Sequence, residues 1–357
     1  DNPNGSQRYY IGHVNWTGFN GLIEYTGSDK FSAVLQVGTS SQDYQWEGFY
    51  TAAPETKSRV VTVNGGYIKG GANYRANNNS NFFFNVGQIM RPPSFDGVFP
   101  NADYDFEEAD EILNESFTSF ELGYGFRSSN FKGTINAYHT VWGDRTLRRS
   151  TSIDDQGVRI IYSGVEQTHQ GIEGEMTWYP SNRLRIKGMF SLGDWKYTKN
   201  FQGDAYFIDN NQPAGTTGTL YLDGVKIGDA AQTVFYLGFD YKLSSKLSVD
   251  LDMMRYDNLH GRFGPLDSEF NSDNNRGSIK LPSWGTADLG ATYSFNLLGY
   301  DARARLNVNN LFDEEYLSQS QTNFHNDGGR TWNGVNVENN VYFGKGTTWN
   351  LGLNIRF

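Results

Sequence analysis

The sequence predicts an all-β chain that forms a transmembrane antiparallel β-barrel, with about 13 strands within its 357 residues. Two observations predict this fold. Apolar and polar residues alternate along most segments, which gives a β-strand one apolar and one polar face. Short turns alternate with long polar loops, and that asymmetry is typical of outer-membrane barrels. A large soluble β-protein is the alternative, although no segment has the pattern of a second sheet that would cover the apolar face.

The strands are predicted from this alternation in chain order. The clearest is the last, whose apolar face would consist of Trp349, Leu351, Leu353, Ile355 and Phe357. The residues that alternate with these are all polar or glycine, so one face of the strand is suited to lipid and the other to water. The same pattern places strands near residues 8–26, 31–49, 64–76, 81–91, 117–127, 131–148, 157–179, 183–197, 232–243, 246–262, 285–297, 300–318 and 346–357.

The connections between these strands are alternately short and long. Short turns are predicted near residues 27–30, 77–80, 128–130, 180–182, 244–245 and 298–299. Long polar loops are predicted near 50–63, 92–116, 198–231, 263–284 and 319–345, with a shorter one near 149–156. The loop 198–231 has a hairpin signal of its own over 220–227, because Asp223-Gly224 is a typical turn pair. The loop 92–116 is acidic, and a solvated loop is a better interpretation than a Ca²⁺ site because the spacing of a known calcium loop is absent.

The composition excludes several classes of function. The chain has 40 acidic and 30 basic residues and a net charge of −10. That balance argues against nucleic acid as a partner, because phosphate binding needs a basic field. The chain has no cysteine, which excludes disulfides, thiolate zinc sites and cysteine nucleophiles. It also lacks a run of about 18 apolar residues, which a transmembrane helix would need. No cofactor or metal site is predicted, since the five histidines show no ligand spacing.

The predicted number of strands, 13, is odd, and this indicates that the barrel domain is incomplete in this chain. Bacterial single-chain barrels have an even number of strands, and an isolated odd antiparallel sheet cannot close with normal pairing. We therefore expect residues 1–357 to be the C-terminal portion of one transmembrane β-barrel domain, whose early strands would lie in a missing segment of the same protein or in another chain. A miscounted strand is the alternative.

Several motifs resemble TonB-dependent outer-membrane receptors. The stretch 306–316 (LNVNNLFDEEY) resembles the penultimate strand of these receptors, and 342–357 resembles their closing strand with its terminal aromatic residue. The stretches 121–126 and 138–145 are similar to mid-barrel strands of such receptors in Bacteroidetes-type bacteria. The resemblance implies a 22-stranded barrel with a plugged lumen in the bacterial outer membrane. It also implies an N-terminal plug domain that contacts the TonB complex, and neither the plug nor the contact box is present in this chain.

The function that the resemblance implies is import of a scarce nutrient. The nutrient could be a siderophore, metal complex, vitamin, glycan or peptide. The alternatives are a passive porin-like channel and a surface adhesin or assembly partner that uses the long extracellular loops. An enzyme is not expected, although Glu173 with Glu175 and Asp250 with Asp252 have a spacing near that of an inverting glycosidase pair. Alternation on a polar barrel wall produces such pairs automatically.

Two groups of residues are candidates for function. Aromatic residues cluster near the long-loop ends of strands, where they would form either an interfacial girdle or a ligand-stacking surface: Tyr44, Trp46, Trp142, Trp195 and Tyr256. Trp142, Arg145 and His260 are the candidate ligand contacts, because binding residues are often carried on loops above a rigid scaffold. The apolar face of the last strand, ending at Phe357, is the predicted signal for the barrel-assembly machinery. Outer-membrane lipid would be the partner of the outer face.

Overall fold

The structure, a computed structural model, describes residues 10–48, 57–100, 108–109, 111–153, 155–208, 212–264 and 267–356. Its wall is one antiparallel sheet in which thirteen strands pair in chain order, so the predicted strand number is confirmed. We number these strands β1 Tyr10–Tyr25, β2 Phe31–Gly48, β3 Val61–Arg75, β4 Ser80–Arg91, β5 Glu115–Arg127, β6 Phe131–Ile153, β7 Gln156–Ser181, β8 Leu184–Tyr197, β9 Thr233–Lys242, β10 Leu247–Asp257, β11 Trp284–Leu297, β12 Tyr300–Asn309 and β13 Thr348–Arg356.

The remaining elements all lie in the long connections. They are a one-turn helix, α1, over Phe95–Val98, a 3₁₀ turn over Ser268–Asn271, and three small strand pairs: Phe201–Phe207 with Pro213–Leu220, Leu317–Ser320 with Val341–Phe343, and Thr331–Trp332 with Val335–Asn336. No helix in the described part of the chain is long and apolar enough to cross a membrane. The asymmetry of the connections is confirmed, because the other rim has only tight turns.

The strand register keeps the apolar and polar faces separate across the wall. Leu351 on β13 lies opposite Leu306 on β12, which lies opposite Ala291 on β11. The side chains of Leu351 and Trp349 are 67% and 73% exposed, as expected for a surface that faces lipid. Phe357 lies outside the described residues, so its role in assembly stays a prediction. The polar face is the concave one, since one cavity is lined by residues from β3 through β9.

Glycines on the polar face make room for ion pairs that reach across a strand. Arg305 on β12 forms two hydrogen bonds of 2.7 and 2.9 Å with Asp250 on β10. The pair passes over Gly290 on β11, where a Cβ atom would collide with both partners. Gly238 has the same role beneath the ion pair of Lys187 and Asp252, whose nitrogen and oxygen lie 3.0 Å apart. Glycine within a strand pattern therefore marks close approach of neighbouring groups.

Gly290→Ala is expected to lower the free energy of unfolding by about 1 kcal/mol, because the added methyl group displaces the partly exposed Arg305–Asp250 pair. Unfolding in denaturant, followed by tryptophan fluorescence, would measure the change. Gly352→Ala is the matched control, since a Cβ atom there meets nothing within 4 Å. Equal effects of the two substitutions would contradict this account of Gly290.

Some of the connections at the long-loop rim differ in structure from the loops predicted there. β6 and β7 extend through the region predicted as a loop near 149–156, because their ends enter a hydrophobic core formed with the hairpin at 201–220. The Asp223-Gly224 turn is confirmed, with Gly224 at a φ of +78°. The predicted hairpin around it is wrong, since Leu220 pairs with Phe201 and Ile227 donates a hydrogen bond to Trp195. Burial of the flanking apolar residues in this core outweighs local pairing.

β12 ends at Asn309, nine residues before the end of the predicted strand (near 318), because Asn310 turns the chain. Asn310 adopts a φ of +48° and is 5% exposed. Its side chain accepts a hydrogen bond from the Glu314 amide (2.9 Å) and donates to the carbonyl oxygens of Glu314 (2.9 Å) and Lys345 (3.1 Å). The asparagine of the 306–316 motif therefore ties both ends of the following long loop together.

Candidate functional site

Two of the three predicted ligand contacts, Trp142 and Arg145, lie together on the polar face. The guanidinium carbon of Arg145 lies 3.8 Å from the centroid of the Trp142 ring. A bulge in β6 permits this contact, since the register with β7 shifts on either side of Arg145 and Asp144 adopts a φ of +57°. The Asp144 carboxylate accepts a hydrogen bond of 2.6 Å from the Ser116 hydroxyl. Bulges commonly re-aim a side chain in this way.

The contact between Trp142 and Arg145 is part of a longer stack. Trp142 packs on Phe117, with ring centroids 5.0 Å apart and planes 25° apart. Arg91 in turn lies 5.4 Å from the centroid of Phe117. The Glu115 carboxylate accepts a hydrogen bond of 3.2 Å from the Trp142 indole nitrogen and pairs with Arg91. We call Arg91, Phe117, Trp142 and Arg145 the arginine–aromatic stack.

The charges in the stack are not balanced. Glu115 neutralises Arg91, whereas Arg145 has no ion pair in the part of the chain that the structure describes. The Trp142 ring is engaged by Phe117 and Arg145, so it is not a free platform for a ligand. What the stack offers is the Arg145 guanidinium, which is held in place by the ring and has N–H groups that can donate to anionic or oxygen-rich groups.

A second aromatic group continues the polar face on β6, β7 and β8. The Trp195 indole nitrogen donates a hydrogen bond of 2.9 Å to the Tyr138 hydroxyl, and the rings of Trp195 and His169 lie 5.5 Å apart. The strand registers place the whole predicted aromatic cluster on the polar face: Tyr44, Trp46, Trp142, Trp195 and Tyr256. This placement contradicts the interpretation of the cluster as an interfacial girdle, while the alternative, a ligand-stacking surface at the mouth of the barrel, stays a prediction.

The outer face of the wall shows where the arginine–aromatic stack lies relative to the membrane. Phe120, His139, Gln170 and Asp194 form one row across β5 to β8 on that face. Below this row the outer face is apolar, and from His139 to Asp194 it is polar, which marks the end of the hydrocarbon region. Trp142 follows His139 by three residues in the direction of the long loops. The arginine–aromatic stack therefore lies at the outer mouth of the barrel, just above the membrane boundary.

The third predicted contact, His260, lies in a different environment. Its Nδ1 atom is 3.3 Å from the carbonyl oxygen of Ser278, which only accepts, so Nδ1 carries the hydrogen in this contact. Burial, together with the positive charges of Lys226 and Lys280, holds the pKa of His260 below its usual value, so the ring is neutral at pH 7. Within the described residues, no hydrogen bond, ion pair or ring contact joins His260 to Trp142 or Arg145. Its contacts join two long loops, and its role in binding stays a prediction.

The segment after β4 folds over the polar face beside the mouth. Phe95 of α1 packs against Gly12, where a Cβ atom would lie 3.0 Å from the Phe95 ring. The Tyr44 hydroxyl donates a hydrogen bond of 2.7 Å to the carbonyl oxygen of Pro93. Since Gly12 lies opposite Trp46, which is fully buried under this segment, the segment narrows the mouth along β1 and β2.

The acidic loop 92–116 is only partly described. Glu108 forms an ion pair with Arg59, while Asp103, Asp105, Glu107 and Asp110 lie outside the described residues. Within the described ranges, no group of three or more His, Cys, Asp or Glu side chains is arranged to hold a metal ion.

Sequence reasoning missed two members of the stack. Phe117 lies four residues before Glu121, so alternation places this aromatic side chain on the polar face. An aromatic residue at a position that alternation assigns to the charged face is therefore the signal that could have revealed Phe117. Arg91 carries no comparable signal, because its position depends on pairing with Glu115 across the 92–114 connection.

The comparisons with known proteins agree with this geometry. The family model described as "TonB dependent receptor-like, beta-barrel" matches residues 2–311.

The fold is similar to that of the FrpB iron transporter (F3-3 variant) from Neisseria meningitidis, with a TM-score of 0.63 and 13% identity over 96% of this chain and 45% of that one. It is also similar to the copper transporter OprC (TM-score 0.62, 12% identity, 98% and 48% covered). For the ferric-catecholate import receptor Fiu from E. coli K12, the TM-score is 0.60 at 16% identity, with 98% and 45% covered. The chain thus spans about half the length of these solved chains. No curated protein matches the sequence.

Proposed function

The chain belongs to the TonB-dependent receptor β-barrel family, and we propose that it forms the wall of a receptor that imports a scarce nutrient across the bacterial outer membrane. A siderophore, metal complex, vitamin, glycan or peptide would enter from the long-loop side. Residues 1–357 would be the C-terminal portion of the barrel domain. A plug domain and further strands of the same receptor would close the lumen and contact the TonB complex.

The observation that carries this proposal is the arginine–aromatic stack at the outer mouth. A guanidinium that is held against an aromatic ring at the outer mouth is suited to receive an anionic or oxygen-rich ligand from the long-loop side. Arg145 is positioned by Trp142 and by the bulge at Asp144, so little conformational freedom is lost when it donates hydrogen bonds to a ligand. We propose Arg145 as a ligand contact and Trp142 as the residue that positions it.

A catalytic role is not part of this proposal, because the acidic pairs that resemble catalytic carboxylates are engaged in the wall. Asp250 binds Arg305 and Asp252 binds Lys187 at 3.0 Å. Glu173 accepts a hydrogen bond of 3.0 Å from Ser191. These contacts support a structural role for the carboxylates on the polar face.

Arg145→Gln is expected to weaken nutrient binding by roughly tenfold to a hundredfold, because a hydrogen bond from a charged donor contributes about 1.5–3 kcal/mol. The nutrient would first be identified by comparing growth of cells with and without the gene on single defined sources of iron, copper, vitamin or glycan. Binding of that nutrient to the purified protein would then be measured by calorimetry. Lys30→Gln, in the short turn between β1 and β2, is the control and should bind like the wild type.

Two results would contradict the proposed function. One is uptake of the nutrient that continues unchanged in cells lacking TonB. The other is a large, steady conductance of the unmodified protein in planar bilayers, which would indicate a porin-like channel.

A further inference from the structure

One turn at the short-turn rim differs from the others in its residues. β11 and β12 are joined by Leu298 and Gly299 alone. The side chain of Leu298 is 91% exposed, more than any other large apolar side chain among the described residues. The other short turns have polar tips, for example at 77–79, 128–130 and 244–246. The β11–β12 turn is therefore the one short turn of the described wall whose tip presents an apolar side chain.

The backbone conformation of Leu298 is also unusual. Leu298 adopts a φ of +54°, which is unfavourable for residues other than glycine, asparagine and aspartate. The other non-glycine residues with a positive φ in the described part of the chain are all aspartate or asparagine. Two-residue hairpin turns favour Asn-Gly and Asp-Gly for the same reason. Leucine thus stands where asparagine would fit the backbone better, and an outlier of this kind points to a function.

The turn does not need the leucine side chain for its own structure. The Asn296 side chain accepts a hydrogen bond of 2.9 Å from the Gly299 amide, and Leu297 pairs with Tyr300 across the base of the turn. Gly299 adopts a φ of +90°. These contacts fix the path of the backbone, while the Leu298 side chain is left almost wholly uncovered. What covers Leu298 therefore lies outside the described residues.

The turn is continuous with the lipid-facing surface of the wall. In the register of β11 and β12, Leu297 and Tyr300 belong to the face that carries Ala291 and Leu306, which is the lipid face. The side chains of Leu297 and Tyr300 are both exposed on it. Leu298 therefore follows directly on an apolar surface that lipid covers, and the same lipid can cover Leu298.

The length of β12 places Leu298 at the level where the hydrocarbon region ends. Trp349 bounds the apolar face of β13 toward the long loops, and it lies opposite Val308. Val308 and Leu298 are ten positions apart, which is about 33 Å along the chain at a rise of about 3.3 Å per residue. At the strand tilt of about 40° that is typical of these barrels, this length corresponds to a height of about 25 Å, the height of their apolar band. Leu298 therefore lies at the periplasmic edge of that band.

We propose that the β11–β12 turn is a membrane anchor, in which Leu298 inserts into the periplasmic leaflet of the outer membrane. The Leu298 side chain packs against acyl chains beside Leu297, while the backbone of the turn stays among the lipid headgroups. Burial in lipid favours leucine over the asparagine that the backbone would prefer. The anchor fixes the depth of the β11–β12 hairpin in the bilayer. It uses neither the lumen nor the outer mouth, so it goes beyond the proposed function.

The first test locates the turn by fluorescence. The chain has no cysteine, so Leu298→Cys gives a single site for the environment-sensitive dye NBD. Ser129→Cys, at the tip of the turn between β5 and β6, is the matched control. The vesicles are made of phosphatidylcholine, part of which carries a nitroxide near the headgroup end of its acyl chain. We expect NBD at position 298 to emit at a shorter wavelength, and to be quenched more strongly, than NBD at position 129.

Two further substitutions measure what the side chain contributes. Glutamine and methionine are similar in size and both are unbranched at Cβ, so the backbone conformation disfavours them alike. We expect Leu298→Gln to lower the equilibrium constant for folding into phosphatidylcholine vesicles by roughly threefold to tenfold, because the partial burial of an apolar side chain is lost. Leu298→Met should stay close to the wild type, since it preserves both volume and apolar character.

Two results would overturn the proposal. One is NBD emission and quenching at position 298 that equal those at position 129, and the other is equal folding of the Leu298→Gln and Leu298→Met variants. Both results are expected if Leu298 instead faces water or binds a second protein, which these vesicles lack. Neither result bears on nutrient binding at Arg145, so failure of the anchor is distinguishable from failure of the proposed function.

Discussion

Leu351→Arg is expected to destabilise the assembled wall by about 2–4 kcal/mol, the cost of an arginine on the lipid face near the bilayer midplane. Leu351 is 67% exposed and lies in the middle of β13, opposite Leu306. The exposure of Leu351 is favourable only if lipid covers the side chain, because an apolar side chain at this position would otherwise contact water. The folded fraction after refolding into lipid vesicles, read from heat-modifiable mobility and denaturant titration, would measure the loss.

Asn350→Arg is the control for that substitution. Asn350 is the preceding residue of β13 and lies opposite Asn307 on the polar face, where water or polar groups can solvate a guanidinium. We expect the folded fraction of this variant to match the wild type closely. If Asn350→Arg were the more damaging of the two, the assignment of the lipid and lumen faces would be reversed.

Asn310→Ala is expected to lower the free energy of unfolding by about 2–4 kcal/mol. The substitution removes the three hydrogen bonds of the Asn310 side chain to Glu314 and Lys345, and the peptide groups left without partners are costly. Alanine is also strained at a φ of +48°, by roughly 1–2 kcal/mol. Denaturant unfolding would measure the total, and faster proteolysis within the 310–347 loop would show where the structure opens.

Two variants separate the components of that effect. Asn310→Gly removes the hydrogen bonds without the backbone strain, so it should be less destabilising than Asn310→Ala. Asn333 has a similar φ of +46° in an Asn-Gly turn, where asparagine and glycine are the residues that such turns favour. Asn333→Ala should therefore cost only the strain. An effect of Asn333→Ala as large as that of Asn310→Ala would refute the anchoring role of Asn310.

The strands could be predicted because their cause is local. A side-chain period of two is visible wherever one face meets lipid and the other water, and β13 shows it without interruption. β12 was predicted too long because Phe312 and Tyr316 keep the parity of its apolar face, whereas Asn310 reverses the chain through contacts with Lys345, 35 residues away. Local periodicity carries no information about such a contact.

The candidate site was predicted only in part for a similar reason. Trp142 and Arg145 were expected at the mouth and do lie together, but their contact depends on a bulge that skips part of the pairing with β7. Phe117 and Arg91 join them only because β4, β5 and β6 are neighbours in a particular register. Histidine is a residue type that often binds ligands, yet the packing of two long loops directs the ring of His260 toward Ser278.

The sequence by itself determined the strand order, the two faces of the wall and the asymmetry of its rims, because each follows from alternation and turn residues within a few positions. The tertiary structure alone decided which charges are compensated. Arg305 reaches Asp250 only because Gly290 lies between them in the sheet, while Arg127 lies opposite Lys132 and neither forms an ion pair with a described residue. Such pairings join residues distant in the chain, and their energies depend on distances of a few ångströms that only the assembled register fixes.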